Sequence, residues 1–167
     1  DIVQKGFDIQ AFKILVLSKH YRTEGNFTWE ILEASQNRLN KWRSAMDLMW
    51  QEDTAASTTF QDADFIDQIK AALQDDLNTP KALTNIDEAI GELEQLHFNK
   101  ASIQRFAEGV KQLLGIDLLT GKSDINDAQK KLIAERQTAR DAKDFAQSDT
   151  LRDQLKEQGL TIRDTEN

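Results

Sequence analysis

A single proline, Pro80, stands in a chain of 167 residues that has only seven glycines. Chain breakers this rare favour long helices and argue against a turn-rich β architecture. Pro80 itself reads as a helix start, because a proline at the first helical position gives up no hydrogen bond. Thr79 before it can cap the free N–H groups, and Asp75 and Asp76 sit upstream, near the positive end of the helix dipole. The helix expected from Pro80 to about residue 96 turns Ala82, Leu83, Ile86, Ala89, Ile90 and Leu93 inward.

The same periodicity marks six further helices. Asp8 caps a first one reaching about residue 19, with Phe12, Leu15 and Val16 at helical spacing and Ile14 and Leu17 widening the stripe. Thr28 caps a second over 29–50, whose stripe runs through Leu32, Leu39, Trp42, Met46 and Met49. Residues 51–59 are small and polar, a loop. A third helix opens at Phe60 or Asp62 and reaches Asp75, with Phe65, Ile69, Ala72 and Leu73 inward. A fifth covers 100–114 and stops at Gly115, a residue suited to a left-handed helix end. Gly121-Lys122-Ser123 ends like a phosphate-binding loop, but lacks the upstream glycine and the preceding strand, and reads as a turn. Ser123 or Asp124 caps a sixth helix over 125–142, and Asp144 caps a seventh over 145–157. Gly159 ends it, and Leu160-Thr161-Ile162 alternates like a short strand. The expected fold is all-α: a helical bundle at 1–116, a linker at 117–123, and a small unit at 124–167 made of a helical hairpin and a short strand.

Composition excludes several functions. There is no cysteine, hence no disulfide and no thiolate metal ligand. Asp75 and Asp76 are adjacent, diverge on a helix and lack a third ligand, so no metal site is assigned. No apolar run approaches the roughly 18 residues of a membrane span, and the cytoplasm is the default location. The net charge of −8 speaks against a generic nucleic-acid binder. Residues 124–167 carry eight Lys/Arg against ten Asp/Glu, a net of −2. RNA binding would therefore need a local patch.

Such a patch is available in the last helix pair. Arg136 and Arg140 are four apart and share a helical face. After a tight corner at Lys143-Asp144-Phe145 come Asp149 and Arg152, three apart. Guanidiniums and an aromatic ring can stack on splayed bases, and a carboxylate can accept from base amino groups. The plain alternative is a solvated surface of ion pairs, with Phe145 as a core anchor.

The string I-A-x-R-x-x-A-R-x-A-K-D-F-A-x-x-D-x-L-R-D-x-L from Ile133 to Leu155, followed by G-L-x-I-x-D-T, resembles the C-terminal region of cysteinyl-tRNA synthetases. Two earlier stretches agree in order: Leu17-Ser18-Lys19-His20-Tyr21-Arg22 with Asn26-Phe27-Thr28, and Asp75-Asp76-Leu77-Asn78-Thr79-Pro80-Lys81-Ala82-Leu83. The resemblance implies a bundle that holds the anticodon stem and a terminal unit that reads the anticodon of a cysteine-specific tRNA. It implies that Arg140 and Asp149 contact anticodon bases, that Phe145 stacks where the family often has tryptophan, and that Arg152 and Asp164 complete the polar surface. Arg136 is added from its shared face with Arg140, as a phosphate contact. His20, Tyr21 and Arg22 are expected at a junction with a catalytic half, with Arg22 also in reach of RNA.

The catalytic signatures of that family, a His-Ile-Gly-His-type corner and a Lys-x-x-Lys-Ser-type loop, do not occur in these 167 residues. The resemblance therefore places ATP and zinc in a catalytic domain outside this chain, and the chain is expected to be a non-catalytic fragment of a cysteine–tRNA ligase. The family usually continues after Asp164 through a Gly-Thr-x-Trp segment and basic residues, so the terminal unit is expected to be truncated. Two alternatives remain: a helical protein-interaction module, and the bundle of a related cysteine ligase acting on a small amine.

Overall fold

A computed structural model describes residues 2–50, 60–93, 99–121, 125–160 and 162. The chain divides into two compact units, Asp1–Lys122 and Ser123–Asn167. Among the described residues the regular structure is helical, with no strand. The short strand expected over residues 160–162 includes Thr161, which lies outside the described residues.

The first unit holds α1 (Ile9–Leu17), α2 (Trp29–Met46), α3 (Asp62–Gln74), α4 (Thr79–Leu93) and α5 (Lys100–Leu114). α1 packs on α2, α3 packs on both α4 and α5, and α4 also meets α1 and α2. The shared core contains Ile14, Leu32, Trp42, Ile69, Ile86 and Phe106, all fully buried. Burying each such side chain contributes about 1.5–3 kcal/mol. At the crossing of α3 and α5 the backbones approach through Gly109, where an added Cβ would lie 2.1 Å from Ile66 Cδ1. Phe60 stacks on Phe65 and meets Phe106 edge-on. Leu118 is fully buried in the stretch expected as a linker.

One core expectation fails in α1. Ala11, Ile14 and Leu15 face inward, while Val16 is 54% exposed. The apolar residues of α1 surround the helix, and only one side of them meets α2. Ile9, Val16, Phe27 and Trp29 remain on the surface, and a cleft of about 360 Å³ opens among Phe12, Val16, Tyr21 and Phe27.

Side-chain caps fix most helix starts. Asp8 accepts from the Gln10 N–H at 2.8 Å and Thr28 from the Ile31 N–H at 3.2 Å. At the proline, α4 begins one residue earlier than expected. Asn78, not Thr79, accepts from the Lys81 N–H at 3.2 Å, and the Thr79 hydroxyl is directed to the Lys19 carbonyl at 3.5 Å. Pro80 still falls in the first turn, where its missing N–H has no helical partner to lose.

Arg43 joins three elements of this unit. Its guanidinium pairs with the Asp8 carboxylate and donates to the Asp117 carbonyl, while Lys111 Nζ lies 2.9 Å from Asp117 Oδ2. Burial alone would raise the Asp8 carboxyl, but the Gln10 N–H and Arg43 hold it below its ordinary value of 3.8. The Lys111 ammonium lowers Asp117 in the same direction. A carboxyl depressed in the folded state stabilises the fold above its unfolded pKa, and that contribution is lost as pH falls through the folded value. The bundle is therefore expected to lose stability in acid below about pH 4. Urea midpoints measured from neutral pH downward should fall less steeply there for the Asp8→Asn/Asp117→Asn double variant. An unchanged slope would remove these two groups from the acid sensitivity.

The second unit consists of α6 (Asp127–Asp141) and α7 (Phe145–Glu157), packed on each other. α6 starts two residues later than expected. Asn126 caps it, accepting from the Gln129 N–H while the Gln129 side chain accepts from the Asn126 N–H, both at 2.9 Å. This reciprocal pair needs a glutamine or glutamate three residues on. Ser123 and Asp124, the expected caps, lie outside the described residues.

Candidate nucleic-acid interface

The corner between α6 and α7 sets the geometry of the candidate site. Lys143 adopts φ 58°, in the left-handed region. Its N–H donates to the Arg140 carbonyl, and the Asp144 N–H donates to the Ala139 carbonyl, each at 2.8 Å. These two overlapping bonds satisfy carbonyls that a helix end otherwise leaves open. Asp144 then caps α7, accepting from the Gln147 N–H at 3.0 Å. One helix ends and the next begins within three residues, so Phe145 is the first residue of α7.

Helical spacing sorts the α7 side chains. Ser148, Leu151 and Leu155 are buried. Phe145, Asp149 and Arg152, at intervals of four and three, occupy the other face and are exposed. Phe145 is 67% exposed, the highest value among the exposed large hydrophobics of the described residues. The core-anchor reading of this ring does not hold. Arg152 Nη2 lies 3.2 Å from Asp149 Oδ1. Exposed pairs of this kind contribute at most about 1 kcal/mol, so a ligand can take over either partner at little cost.

On α6, Arg140 is half-buried in the last turn before the corner. Arg136 departs from expectation. It is 6% exposed and counts among the buried residues of the hairpin. Its position, four after Leu132 and three before Ala139, puts it on the seam with α7 instead of on an open phosphate-binding face. Asp164 lies outside the described residues. Arg140 thus stands in the last turn before the corner and Phe145, Asp149 and Arg152 along one exposed face of α7, while Arg136 is withdrawn into the packing. The result is an exposed ring flanked by hydrogen-bonding groups of both signs, suited to stacking an unpaired base and contacting its edge.

The bundle differs in its electrostatics. Its arginines are tied to its own carboxylates: Arg22 to Asp76, Arg38 to Asp87, Arg43 to Asp8 and Arg105 to Asp62. Lys70, Lys81 and Lys111 are likewise paired. Two of the segments that carry the resemblance also meet here. The Tyr21 hydroxyl donates to Asp76 Oδ1 at 2.7 Å, Arg22 donates to the same oxygen at 2.9 Å, and His20 Nε2 lies 3.0 Å from the Asp76 carbonyl. Asp76 and Leu77 both hold positive φ, 51° and 52°. Tyr21, Arg22 and Asp76 thereby brace the turn between α3 and α4 against the end of α1. Among the described residues no group of three His, Asp or Glu side chains is placed to hold a metal ion, and no helix is long and apolar enough to cross a membrane.

Comparison with known proteins gives two family matches. Residues 122–167 match the family described as the cysteinyl-tRNA ligase anticodon binding domain, and residues 68–118 match the DALR domain. Relatives along nearly the whole chain include the cysteine–tRNA ligase of Leptospira interrogans, 35% identical over 99% of this chain and 38% of its own length. That of Staphylococcus haemolyticus is 32% identical over 99% and 39%, and cysteine–tRNA ligase 1 of Burkholderia lata is 31% identical over 97% and 33%. The chain thus spans under two-fifths of the length of these relatives.

Proposed function

We propose that this chain, whose residues 122–167 match the cysteinyl-tRNA ligase anticodon binding domain family and residues 68–118 the DALR domain family, is the tRNA-binding part of a cysteine–tRNA ligase. The second unit reads anticodon bases of a cysteine-specific tRNA, and the bundle supports the anticodon stem. A catalytic domain outside this chain, the place for ATP and zinc, joins cysteine to the other end of the tRNA in the cytoplasm. The contribution of this part is positioning: contacts remote from the chemistry align the acceptor end with the active site.

The observation that carries the reading is Phe145. A ring that is two-thirds exposed, at the start of a helix, with Asp149 and Arg152 on the same face, is what base stacking requires and what core packing avoids. Within this reading Arg140, Asp149, Arg152 and Asp164 supply polar contacts to bases.

The test is a titration of the isotope-labelled chain with the anticodon stem-loop of a cysteine tRNA, followed by backbone NMR, with an altered anticodon as control. Shifts concentrated at Arg140, Phe145, Asp149 and Arg152 with the cognate loop alone are expected. Arg140→Ala should weaken cognate binding far more than binding to the altered loop; equal loss on both would reduce Arg140 to a backbone contact. Absence of any shift at low salt, where electrostatic binding is strongest, would sink the reading. It would favour a helical protein-interaction module, for which the surface apolar residues Ile9, Val16 and Phe27 provide a face.

A further inference from the structure

We infer that Lys143 is a phosphate-binding residue of the second unit, engaging the backbone of the RNA loop whose base stacks on Phe145. The inference rests on the anticodon-reading proposal and gives a binding role to a residue that the sequence reading placed only at the corner.

The two helices of this unit end in the same way. After α7, Gly159 takes φ 81° and its N–H donates to the Lys156 carbonyl, while the Leu160 N–H donates to the Leu155 carbonyl. After α6, Lys143 takes φ 58° with the equivalent pair of bonds. Glycine adopts this conformation without a steric penalty, and a residue with a Cβ does not. Gly115 follows the rule at the end of α5, with φ 66°. Lys143 breaks it at the corner that carries the exposed ring.

A non-glycine residue held at positive φ is a reason to look for a use of its side chain. Asp76 shows one within this protein: it holds φ 51°, and its carboxylate is engaged by Tyr21 and Arg22. The Lys143 side chain is exposed, and its ammonium has no partner among the described residues. No described residue makes use of it. It stands two residues before Phe145 and three after Arg140, in a unit with an excess of carboxylates. A compact ammonium on a flexible stem beside a stacking ring suits a phosphodiester oxygen, a partner that tolerates any base sequence.

A structural role is the competing account, since a lysine beyond a helix C-terminus also complements the helix dipole. Lys143→Gly separates the two. The 167-residue chain, wild type and variant, is titrated with the cysteine-tRNA anticodon stem-loop and with the altered loop across a salt series, and each protein is unfolded in urea. The expected result is unchanged or higher stability for Lys143→Gly. Affinity should fall on the order of 3–10-fold for both loops, with the salt slope of log affinity smaller by about one. Lys143→Arg should restore affinity and slope. Wild-type binding with Lys143→Gly unchanged in affinity and slope overturns the assignment alone, as does an affinity loss accompanied by an equal loss of stability. No binding by the wild-type chain overturns the anticodon reading, and the role of Lys143 with it.

Discussion

Trp42→Ala is expected to lower the unfolding free energy by about 3–5 kcal/mol, the largest effect of any single truncation in the bundle. Trp42 is fully buried in α2, and its indole N–H donates to Asp87 Oδ1 at 2.7 Å. Arg38 pairs with the same carboxylate through Nη2 and Nε, and its guanidinium lies 5.1 Å from the Trp42 ring centroid. Truncation leaves a cavity between α2 and α4 and takes one donor from Asp87. Trp42→Phe fills most of the cavity while still removing the donor, so it should cost less than the alanine variant. Urea unfolding of the three proteins measures both parts. A loss below about 1 kcal/mol for Trp42→Ala would mean that the site collapses freely around the smaller side chain, contrary to a close-packed core.

Phe145→Ala is expected to weaken binding of the cognate anticodon loop by about 1–3 kcal/mol, the usual contribution of one aromatic platform to one stacked base. Stability should stay within about 0.5 kcal/mol of wild type, because an exposed side chain outside the core, at a position where the neighbouring Asp144 supplies the cap, has little to lose. Phe145→Trp enlarges the platform and should bind at least as tightly. Competition binding with the wild-type chain and both variants decides. Equal affinity in all three would remove the ring from the interface. A parallel loss of stability in Phe145→Ala would mark it as packing.

The helices were legible because their signals are local and mutually reinforcing. Asp8, Thr28 and Asp144 each stand one residue before an apolar repeat, and each caps the helix expected. The errors fall where two candidates compete or where a neighbour decides. Asp124 and Asn126 are both good caps, and only Gln129, three residues beyond Asn126, distinguishes them. Thr79 beside a proline hides the better-placed Asn78. Val16 has the right spacing, but periodicity cannot say which part of an apolar helix its partner will cover.

The candidate site divides in the same way. The α7 face of Phe145, Asp149 and Arg152 follows from helical spacing alone. Arg136 does not, because its charge suggests solvent while its register is that of the seam. Lys143 could be placed at the corner, but its left-handed conformation carries no signal in the sequence, since such a residue is usually announced by glycine. The contact of Tyr21 and Arg22 with Asp76 is equally silent: the two segments were recognisable separately, but nothing in either names the other as its partner.

The internal pairing of the bundle's cations also bears on how fast a polyanion can find this protein. Arg22, Arg38, Arg43 and Arg105 spend their charge on neighbouring carboxylates, in a chain whose net charge is −8. The far field of such a surface is repulsive to nucleic acid, and repulsion slows encounter in the way that attraction accelerates it. Added salt screens that barrier over a distance that shrinks to about 8 Å at physiological ionic strength. Moderate salt should thus raise the rate of first encounter while loosening the contacts made at the corner afterwards. Residence time and arrival rate would then respond to salt in opposite directions, a kinetic filter against RNAs that offer charge without an unpaired base to stack.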